Sequence, residues 1–324
     1  MRAAYYDKNG SARDVLSLGE IDTPKPGPGE VRVRLKTSGV NPSDVKSREG
    51  RTRKIAFPRV IPHSDGAGEI EAVGDGVPQA RIGERVWTWN GQWKRAFGTC
   101  ADYIVLPAAM AVRLPDHVSY EAGACLGIPA MTAYHAVAVA GAARTVLVSG
   151  GAGGVGHYAI QFAKARGLTV IATVSSEAKA KLARNAGADH TIDYRRENVG
   201  ERVMAITDKA GVDAAIEMDF SGNAKLMPSV LHPRSKVVVY GNASGEAVIP
   251  TQFFLTNAIT IQYIFVYELT QPERDAAVGA IDRMLESKTL FNNVALTLPL
   301  KDIVAAHEAV EQGKALGNVV VSMS

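Results

Sequence analysis

The glycines at 150–156, in the order GGAGGVG, point more clearly to a chemical function than any other residues of this chain. They match the pattern GxGxxG, which is weak on its own because a glycine-rich turn can simply be a tight loop. Here the run follows the apolar segment 145–149 and precedes the amphipathic segment 157–167, so it lies between a predicted strand and a predicted helix. Glycines there let the backbone approach a pyrophosphate, whose charge is stabilised by the N–H groups at the helix start. The sequence therefore predicts a dinucleotide site that uses Ala152, Gly153, Gly154 and Val155.

The choice between NAD and NADP depends on the residues after the second strand of such a fold, predicted here at 169–174. An acidic residue at that point accepts hydrogen bonds from the ribose hydroxyls and repels a 2′-phosphate. Here neutral donors follow the strand, with a lysine one helical turn further on and a tyrosine after the third strand. These residues predict a phosphate pocket, and hence NADPH as the cofactor: Ser175, Ser176, Lys179 and Tyr194. Glu177 argues against this pocket unless its carboxylate points away, and a solvated cluster of surface charges is the alternative.

Length and composition limit the class of protein. A chain of 324 residues suggests two domains, because a domain usually has about 100–200 residues. The formal net charge is +3 and no block of basic residues is present, so no nucleic-acid partner is expected. The N-terminal residues show no apolar signal segment, and the uncharged stretch 122–143 is too rich in Ala and Gly for a membrane helix. We therefore expect a cytoplasmic protein with no membrane partner.

Two parts of the chain have different patterns. The first 120 residues are rich in Gly and Pro, and alternating segments such as 31–40 and 66–74 predict a mostly β domain. From Thr145 onward, apolar strands alternate with amphipathic helices, which predicts a doubly wound parallel sheet covered on both faces. The apolar segment 260–267 supplies a sixth strand, and the segment 319–323 is expected to return to the first domain. The predicted fold class is thus α/β, with a six-stranded, doubly wound parallel sheet and a second, mostly β domain.

The order of these motifs resembles the medium-chain dehydrogenase/reductase superfamily and, within it, the zeta-crystallin-like quinone oxidoreductases. The resemblance covers almost the whole chain and rests on segments 38–50, 61–77, 83–87, 123–137, 146–164, 186–195 and 305–321. It implies a GroES-like catalytic domain at 1–122, completed by 268–324. It also implies a Rossmann NADPH-binding domain at 123–267.

Zinc-dependent members of this superfamily have ligands at positions that this chain fills differently. They place a Cys where Asn41 stands, a His where Ser64 stands, and a second Cys near Ile128. The chain has two cysteines, Cys100 and Cys125, which cannot form a four-cysteine structural site. We therefore expect no metal. Without a Lewis acid, alcohol oxidation lacks its usual alkoxide stabiliser, whereas an electron-poor quinone or enone needs mainly positioning and a hydrogen-bond donor.

The resemblance also implies roles for single residues. Asn41 is expected to donate to the developing oxygen of the acceptor, although it could instead only stabilise the loop before Pro42. Thr132 is expected to line the nicotinamide pocket, and Lys46 stands where relatives often have a Tyr, so their acceptor preference does not transfer. The other expected cofactor contacts are Asn223, Gly241, Asn242, Tyr263, Ile264, Phe265 and Asn318, the last standing where relatives usually have Lys.

These observations predict a zinc-independent, NADPH-dependent oxidoreductase that transfers hydride to a quinone or similar conjugated carbonyl. Two alternatives stay open: an enoyl or alkenal double-bond reductase, and an NADPH-binding protein with a mainly structural role. The segment 260–267 is too apolar for an exposed edge strand, so we expect it to pair with its counterpart in a homodimer.

Overall fold

We describe the fold from a computed structural model, which covers residues 1–323. The strands are β1 (Arg2–Tyr5), β2 (Ser17–Glu20), β3 (Glu30–Val40), β4 (Asp65–Val73), β5 (Arg85–Thr88), β6 (Tyr103–Pro107), β7 (Ala111–Arg113), β8 (Thr145–Val148), β9 (Thr169–Val174), β10 (His190–Asp193), β11 (Val212–Glu217), β12 (Leu231–Val239), β13 (Thr260–Tyr263), β14 (Val294–Pro299) and β15 (Asn318–Ser322). The α-helices are α1 (Ala12–Val15), α2 (Pro42–Glu49), α3 (Tyr120–Gly123), α4 (Met131–Val139), α5 (Gly154–Ala165), α6 (Glu177–Asn185), α7 (Val199–Ile206), α8 (Phe220–Asn223), α9 (Thr251–Thr256), α10 (Gln271–Glu286) and α11 (Ile303–Glu311).

The first of two units consists of Met1–Pro129 and the residues from Ile281 onward. Its main sheet has the strand order β14-β15-β3-β4-β5-β7, and β6 pairs with β3. Strand β15 runs antiparallel to β3, with Val319 opposite Val40, so the last described strand completes the sheet built by the first part of the chain. Alternate residues of β3 are buried in the core of this unit, as the alternating sequence pattern predicts.

The second unit, Ala130–Ala280, contains a parallel sheet with the order β10-β9-β8-β11-β12-β13. In this doubly wound order the direction of winding reverses between β8 and β11, and ligands bind at the carboxyl ends of the strands at that switch point. Over residues 1–323, the predicted α/β class with a six-stranded Rossmann sheet is confirmed. The predicted domain bounds, 1–122 with 268–324 and 123–267, stay a prediction.

Two elements differ from what the sequence pattern suggests. The sixth strand ends at Tyr263, well before residue 267, because Val266–Glu268 forms a 3₁₀ turn. The uncharged stretch 122–143 forms several short elements rather than one continuous helix: the end of α3, a π-helical segment at Leu126–Ala130, and α4. No helix within residues 1–323 is long and apolar enough to span a membrane.

Candidate functional site

The glycine run joins β8 to α5 at the carboxyl end of the parallel sheet. Gly150 has a φ of +68°, which residues with a side chain rarely adopt. A Cβ on Gly151 would lie 2.7 Å from the Cβ of Ala172, and a Cβ on Gly156 would lie 2.3 Å from the Gly150 carbonyl oxygen. These glycines are therefore required by the packing of the helix against the loop and the sheet, whatever ligand the loop binds.

Gly153 differs from its neighbours because its side of the loop is open. Within the described residues, a Cβ there would have one neighbour within 4 Å, the Gly150 carbonyl oxygen at 3.2 Å. Gly153 is the N-cap of α5, and the first N–H groups of a helix, here those of Gly154 and Val155, have no acceptor inside it. Ala152 is buried, so it can contribute only its backbone. The loop thus fits a pyrophosphate, with backbone donors and the helix dipole facing open space.

The residues after β9 bring a cation and hydroxyl groups together. Lys179 Nζ donates a hydrogen bond to Ser175 Oγ at 3.0 Å, and Ser176 caps α6 by accepting from the Lys179 backbone N–H. The Glu177 side chain is 80% exposed and its carboxylate pairs with Arg184. The Glu177 carboxylate, which argued against a phosphate pocket, is therefore ion-paired with Arg184 further along α6.

Tyr194 reaches the same end of the sheet from β10. Its backbone N–H donates to the Val174 carbonyl oxygen at 3.0 Å, which holds it beside the last residue of β9, and its side chain is 51% exposed. The four residues predicted to form the phosphate pocket thus lie at the ends of two neighbouring strands.

Glu217, the last residue of β11, was not identified from the sequence and is fully buried. Its carboxylate accepts hydrogen bonds from Ser149 Oγ at 2.6 Å, the Asp219 backbone N–H at 2.7 Å and Asn223 Nδ2 at 2.9 Å. Glu217 therefore ties the ends of β8 and β11 together at the switch point and orients the amide of Asn223. A charged residue at the end of the apolar segment 212–217 was the signal that could have identified it.

Gly241 and Asn242 follow β12 at the same edge. A Cβ on Gly241 would lie 2.2 Å from the Met218 carbonyl oxygen, so this glycine is required by close backbone packing. Asn242 Oδ1 accepts from the Ser221 backbone N–H at 2.7 Å, which fixes the amide against α8.

Tyr263, Ile264 and Phe265 lie at the carboxyl end of β13, the outermost strand of the sheet. The Ile264 N–H donates to the Val239 carbonyl oxygen at 2.9 Å and so extends the pairing with β12 by one residue. The side chains of Tyr263 and Phe265 are 66% and 52% exposed. Thr132 belongs to the same unit, where it is buried in the first turn of α4.

Asn41 lies in the first unit as the N-cap of α2, and two buried carboxyl groups hold it. Its backbone N–H donates to Asp44 Oδ2 and its side-chain Nδ2 donates to Asp65 Oδ2, both at 2.8 Å. Asp65 Oδ2 also accepts from the Ile128 N–H at 3.0 Å. The contacts of Asp44 and Asp65 with Asn41 were not predicted from the sequence.

Burial determines the protonation of these two carboxyl groups. Burial raises the pKa of Asp44 to about 7, although the hydrogen bonds from Asn41 and the charge of Arg53 act in the opposite direction. Burial and the nearby Asp44 charge raise the pKa of Asp65 well above its usual range, which favours its neutral form.

Two further predicted residues occupy the first unit. Lys46 is partly buried on α2, one and a half turns after Asn41. Asn318 is the first residue of β15, where its backbone N–H and its side-chain Nδ2 both donate to the Asn293 carbonyl oxygen, at 2.9 Å and 3.2 Å. The structure thus ties the Asn318 amide to the segment before β14.

The positions that hold zinc in related enzymes carry no ligand set here. Ser64 is buried, and Ile128 contributes only a backbone N–H to Asp65. Residues 1–323 contain no group of three or more His, Cys, Asp or Glu side chains arranged to hold a metal. Cys100 and Cys125 are buried, and burial raises the pKa of both thiols, which keeps them protonated.

A second buried polar network lies in the first unit and centres on two histidines. His63 Nε2 lies 3.0 Å from His307 Nε2, and His63 Nδ1 lies 2.8 Å from Ser38 Oγ. Ser38 Oγ lies 2.7 Å from Thr99 Oγ1, which donates to the Asp65 carbonyl oxygen at 2.6 Å. The pairing of His63 with His307 was not predicted from the sequence.

Comparison with known proteins places these features in a family. The family model "Alcohol dehydrogenase GroES-like domain" matches residues 27–116, and "Zinc-binding dehydrogenase" matches residues 154–284. A quinone oxidoreductase of Pseudomonas aeruginosa is 38% identical over 83% of this chain and 85% of its own. This chain belongs to the quinone oxidoreductases of the medium-chain dehydrogenase/reductase superfamily.

Two other members of the superfamily extend the comparison over the whole chain. The 2-haloacrylate reductase of a Burkholderia species is 30% identical, over 99% of this chain and 98% of its own. The crystal structure of Escherichia coli quinone oxidoreductase complexed with NADPH superimposes with a TM-score of 0.87 at 26% identity, covering 99% of this chain and 100% of that one.

Proposed function

We propose that this quinone oxidoreductase family member is a zinc-independent, NADPH-dependent enzyme that reduces a quinone or a similar conjugated carbonyl compound. The observation that carries the proposal is the opening at Gly153, where the loop presents backbone donors to open space at the switch point of the sheet. The Pseudomonas relative and the NADPH in the Escherichia coli structure support it.

Bound NADPH would supply a hydride, and the chain offers groups for each of its parts. The N–H groups of Gly154 and Val155 would bind the pyrophosphate. The Ser175 and Lys179 pair would bind the 2′-phosphate, with Ser176 and Tyr194 beside it. The remaining contacts with the cofactor would come from Ala152, Gly153, Asn223, Gly241, Asn242, Tyr263, Ile264, Phe265 and Asn318.

In the proposed reaction the acceptor gains a hydride, which carries two electrons, and one proton from water. A quinone thereby becomes a hydroquinone as NADPH becomes NADP⁺. The Asn41 amide has two hydrogens, and the one not used by Asp65 would donate to the oxygen on which negative charge develops. Thr132 would line the nicotinamide pocket, and Lys46 would add positive charge at the acceptor.

Steady-state oxidation of the cofactor with a panel of quinones and enals tests the proposal. We expect turnover with electron-poor quinones and a clear preference for NADPH over NADH, because Lys179 and Ser175 can bind the extra phosphate. Comparable dissociation constants for the two cofactors would contradict the phosphate pocket. Tight NADPH binding without turnover of any acceptor would favour a mainly structural role.

Reduction of a polarised carbon–carbon double bond is the second candidate. It is favoured by the similarity to a relative named as a 2-haloacrylate reductase. The same placement of the nicotinamide beside the acceptor would also suit an activated alkene. In that case the hydride is added to a carbon atom of the double bond. Product analysis separates the two, since an enal would yield the saturated aldehyde.

We further propose a homodimer that forms through β13. This edge strand and its flank expose Tyr263 and Phe265, and the neighbouring α9 exposes 74% of Leu255. Exposed apolar edge strands tend to pair. Light scattering should give twice the 34.4 kDa mass of the chain, and Tyr263→Lys should shift the mass toward the monomer. A monomeric wild-type protein would contradict the proposal.

We also propose that the protein is located in the cytoplasm, which cell fractionation would test.

A further inference from the structure

The segment that follows α2 in the first unit carries a series of positive charges. In this segment Arg51 forms an ion pair with Glu49, and Arg48, in the last turn of α2 itself, forms ion pairs with both Glu49 and Glu311. Arg53 has a different environment: it is partly buried, and it forms no ion pair with any residue between 1 and 323. A partly buried arginine without a carboxylate partner is available to bind an anion.

Neutral groups hold Arg53 in place. Its guanidinium carbon lies 5.1 Å from the centre of the Trp93 ring, and its Nη2 donates to the amide oxygen of the buried Gln92. A second cation approaches the same ring, since Lys94 Nζ lies 5.6 Å from its centre. The ring and the two cations together form a surface that is aromatic and positively charged.

The charge of Arg53 also acts on the carboxyl group that holds Asn41, the residue proposed to bind the acceptor oxygen. The charge of Arg53 lowers the pKa of Asp44, which places the guanidinium within electrostatic reach of that carboxyl group. Asp44 Oδ2 in turn accepts the backbone N–H of Asn41. The Asp44 carboxyl is buried and only partly ionised near neutral pH, so it leaves Arg53 incompletely compensated.

We propose that Arg53, Trp93 and Lys94 bind a carboxylate on the acceptor, so that the preferred substrates are conjugated carbonyl compounds that carry a carboxylate. The planar guanidinium matches the two oxygens of a carboxylate, and the indole ring offers a flat face to a conjugated system. This inference rests on the proposed function, because it names the acceptor class of the same enzyme.

The pair trans-3-benzoylacrylate and its methyl ester tests the inference, since both compounds contain the same enone and differ in the negative charge. We would measure kcat/KM for both in the wild type, Arg53→Gln and Lys54→Gln. Arg53→Gln should lower the ratio of acid to ester about tenfold, the effect of roughly one charged hydrogen bond. Lys54→Gln removes the adjacent, exposed charge and should change the ratio by less than about twofold, because an exposed charge is screened.

Calorimetric titration with 3-benzoylpropionate, the saturated acid, gives a second readout that needs no turnover. Binding that is about tenfold weaker in Arg53→Gln than in the wild type and Lys54→Gln supports the inference. An unchanged acid-to-ester ratio in Arg53→Gln, with the ester still reduced, overturns the inference and leaves the proposed function intact. If neither compound nor any quinone is reduced, the proposed function fails, and the titration alone then decides whether Arg53 binds the carboxylate.

Discussion

Gly153 and Gly156 belong to the same glycine run, but the structure places the first at the N-cap of α5 and the second inside that helix. A Cβ on Gly156 would lie 2.3 Å from a backbone oxygen, whereas a Cβ on Gly153 would meet a single atom at 3.2 Å within the described chain and otherwise face open space. Gly153 has a φ of −73°, which any residue adopts. Gly156 is therefore required by backbone packing, whereas Gly153 is the one proposed to leave space for the ligand.

Gly153→Ala should separate binding from stability. The methyl group would occupy the space proposed for the pyrophosphate, so the dissociation constant for NADPH should rise about tenfold, equivalent to about 1.4 kcal/mol. The melting temperature should stay within a few degrees of the wild type. Gly156→Ala is the matched comparison and should destabilise the protein, because its Cβ meets the Gly150 carbonyl oxygen. NADPH fluorescence titration and thermal unfolding measure the two effects. Unchanged NADPH affinity in Gly153→Ala would count against the assignment.

Asp65 is predicted to position Asn41, because its carboxyl oxygen accepts a hydrogen bond from the Asn41 side-chain amide. Because burial favours the neutral form of Asp65, Asp65→Asn should keep an oxygen that accepts from Asn41 and Ile128 and should retain most of kcat. Asp65→Leu removes that oxygen and leaves two buried donors unpaired, at a cost of about 1–3 kcal/mol each. It should lower kcat while the affinity for NADPH stays the same. Equal kcat values for the two variants would show that Asp65 does not position Asn41.

At the scale of elements, the histidine network joins α11, the segment before β4, and β3 in one directed chain of hydrogen bonds. Thr99 donates to the Asp65 carbonyl oxygen, so Ser38 must donate to Thr99. His63 Nδ1 must then carry a proton for Ser38, and His63 Nε2 must accept from His307. His63 is therefore neutral. Burial lowers the pKa of His63 to about 3. Burial, with repulsion from Arg48 and from His63 when it is protonated, lowers the pKa of His307 well below its usual range, so His307 is neutral at physiological pH as well.

These lowered pKa values make the first unit less stable in acid. The unfolded chain takes up protons on these histidines near pH 6.5, whereas the folded chain does so only at much lower pH. Their contribution to stability is thus complete above about pH 6.5 and is lost as the pH falls toward 3. Asp44 and Asp65, with raised pKa values, contribute with the opposite sign.

His307→Gln keeps a donor toward His63 but cannot titrate, so it should reduce the dependence of stability on pH. The slope of the unfolding free energy between pH 4 and 6.5 should decrease by up to about 1.4 kcal/mol per pH unit. Tryptophan fluorescence during urea unfolding reports on this unit, because Trp87, Trp89 and Trp93 all lie in it. The carboxyl contribution is the same in both proteins and cancels. An unchanged slope would contradict the histidine assignment.

Across the whole molecule, the features that could be predicted from the sequence are those formed by residues close together along the chain. The glycine loop, the serines and lysine after β9 and the alternation of strands with helices all follow from residues close together in sequence. The contacts that the sequence did not predict join distant segments: Asn41 meets Asp65 across 24 positions, and His63 meets His307 across 244. Such pairs depend on strand register and helix packing, which periodicity does not determine.

Glu217 illustrates the same limit within the Rossmann sheet. From its sequence neighbours, Glu217 is recognisable only as a charged residue at the end of an apolar strand. Its hydrogen-bond partners are Ser149, directly after β8, and Asn223 in α8. Three donors aimed at one buried carboxylate become visible only when the parallel strands lie side by side. The residue types at the site could thus be predicted more readily than the hydrogen bonds that orient them.

In the proposed reaction, hydride passes from NADPH to a conjugated acceptor without a metal ion. Single-turnover oxidation of NADPH by 1,4-naphthoquinone, with NADPH deuterated at either C4 position and with protein dialysed against a chelator, tests it most directly. The account predicts oxidation that requires the acceptor, slows for one of the two deuterated cofactors, and is unaffected by the chelator. Bound NADPH that is not oxidised by any acceptor, or activity that is lost on dialysis and restored by zinc, would contradict it.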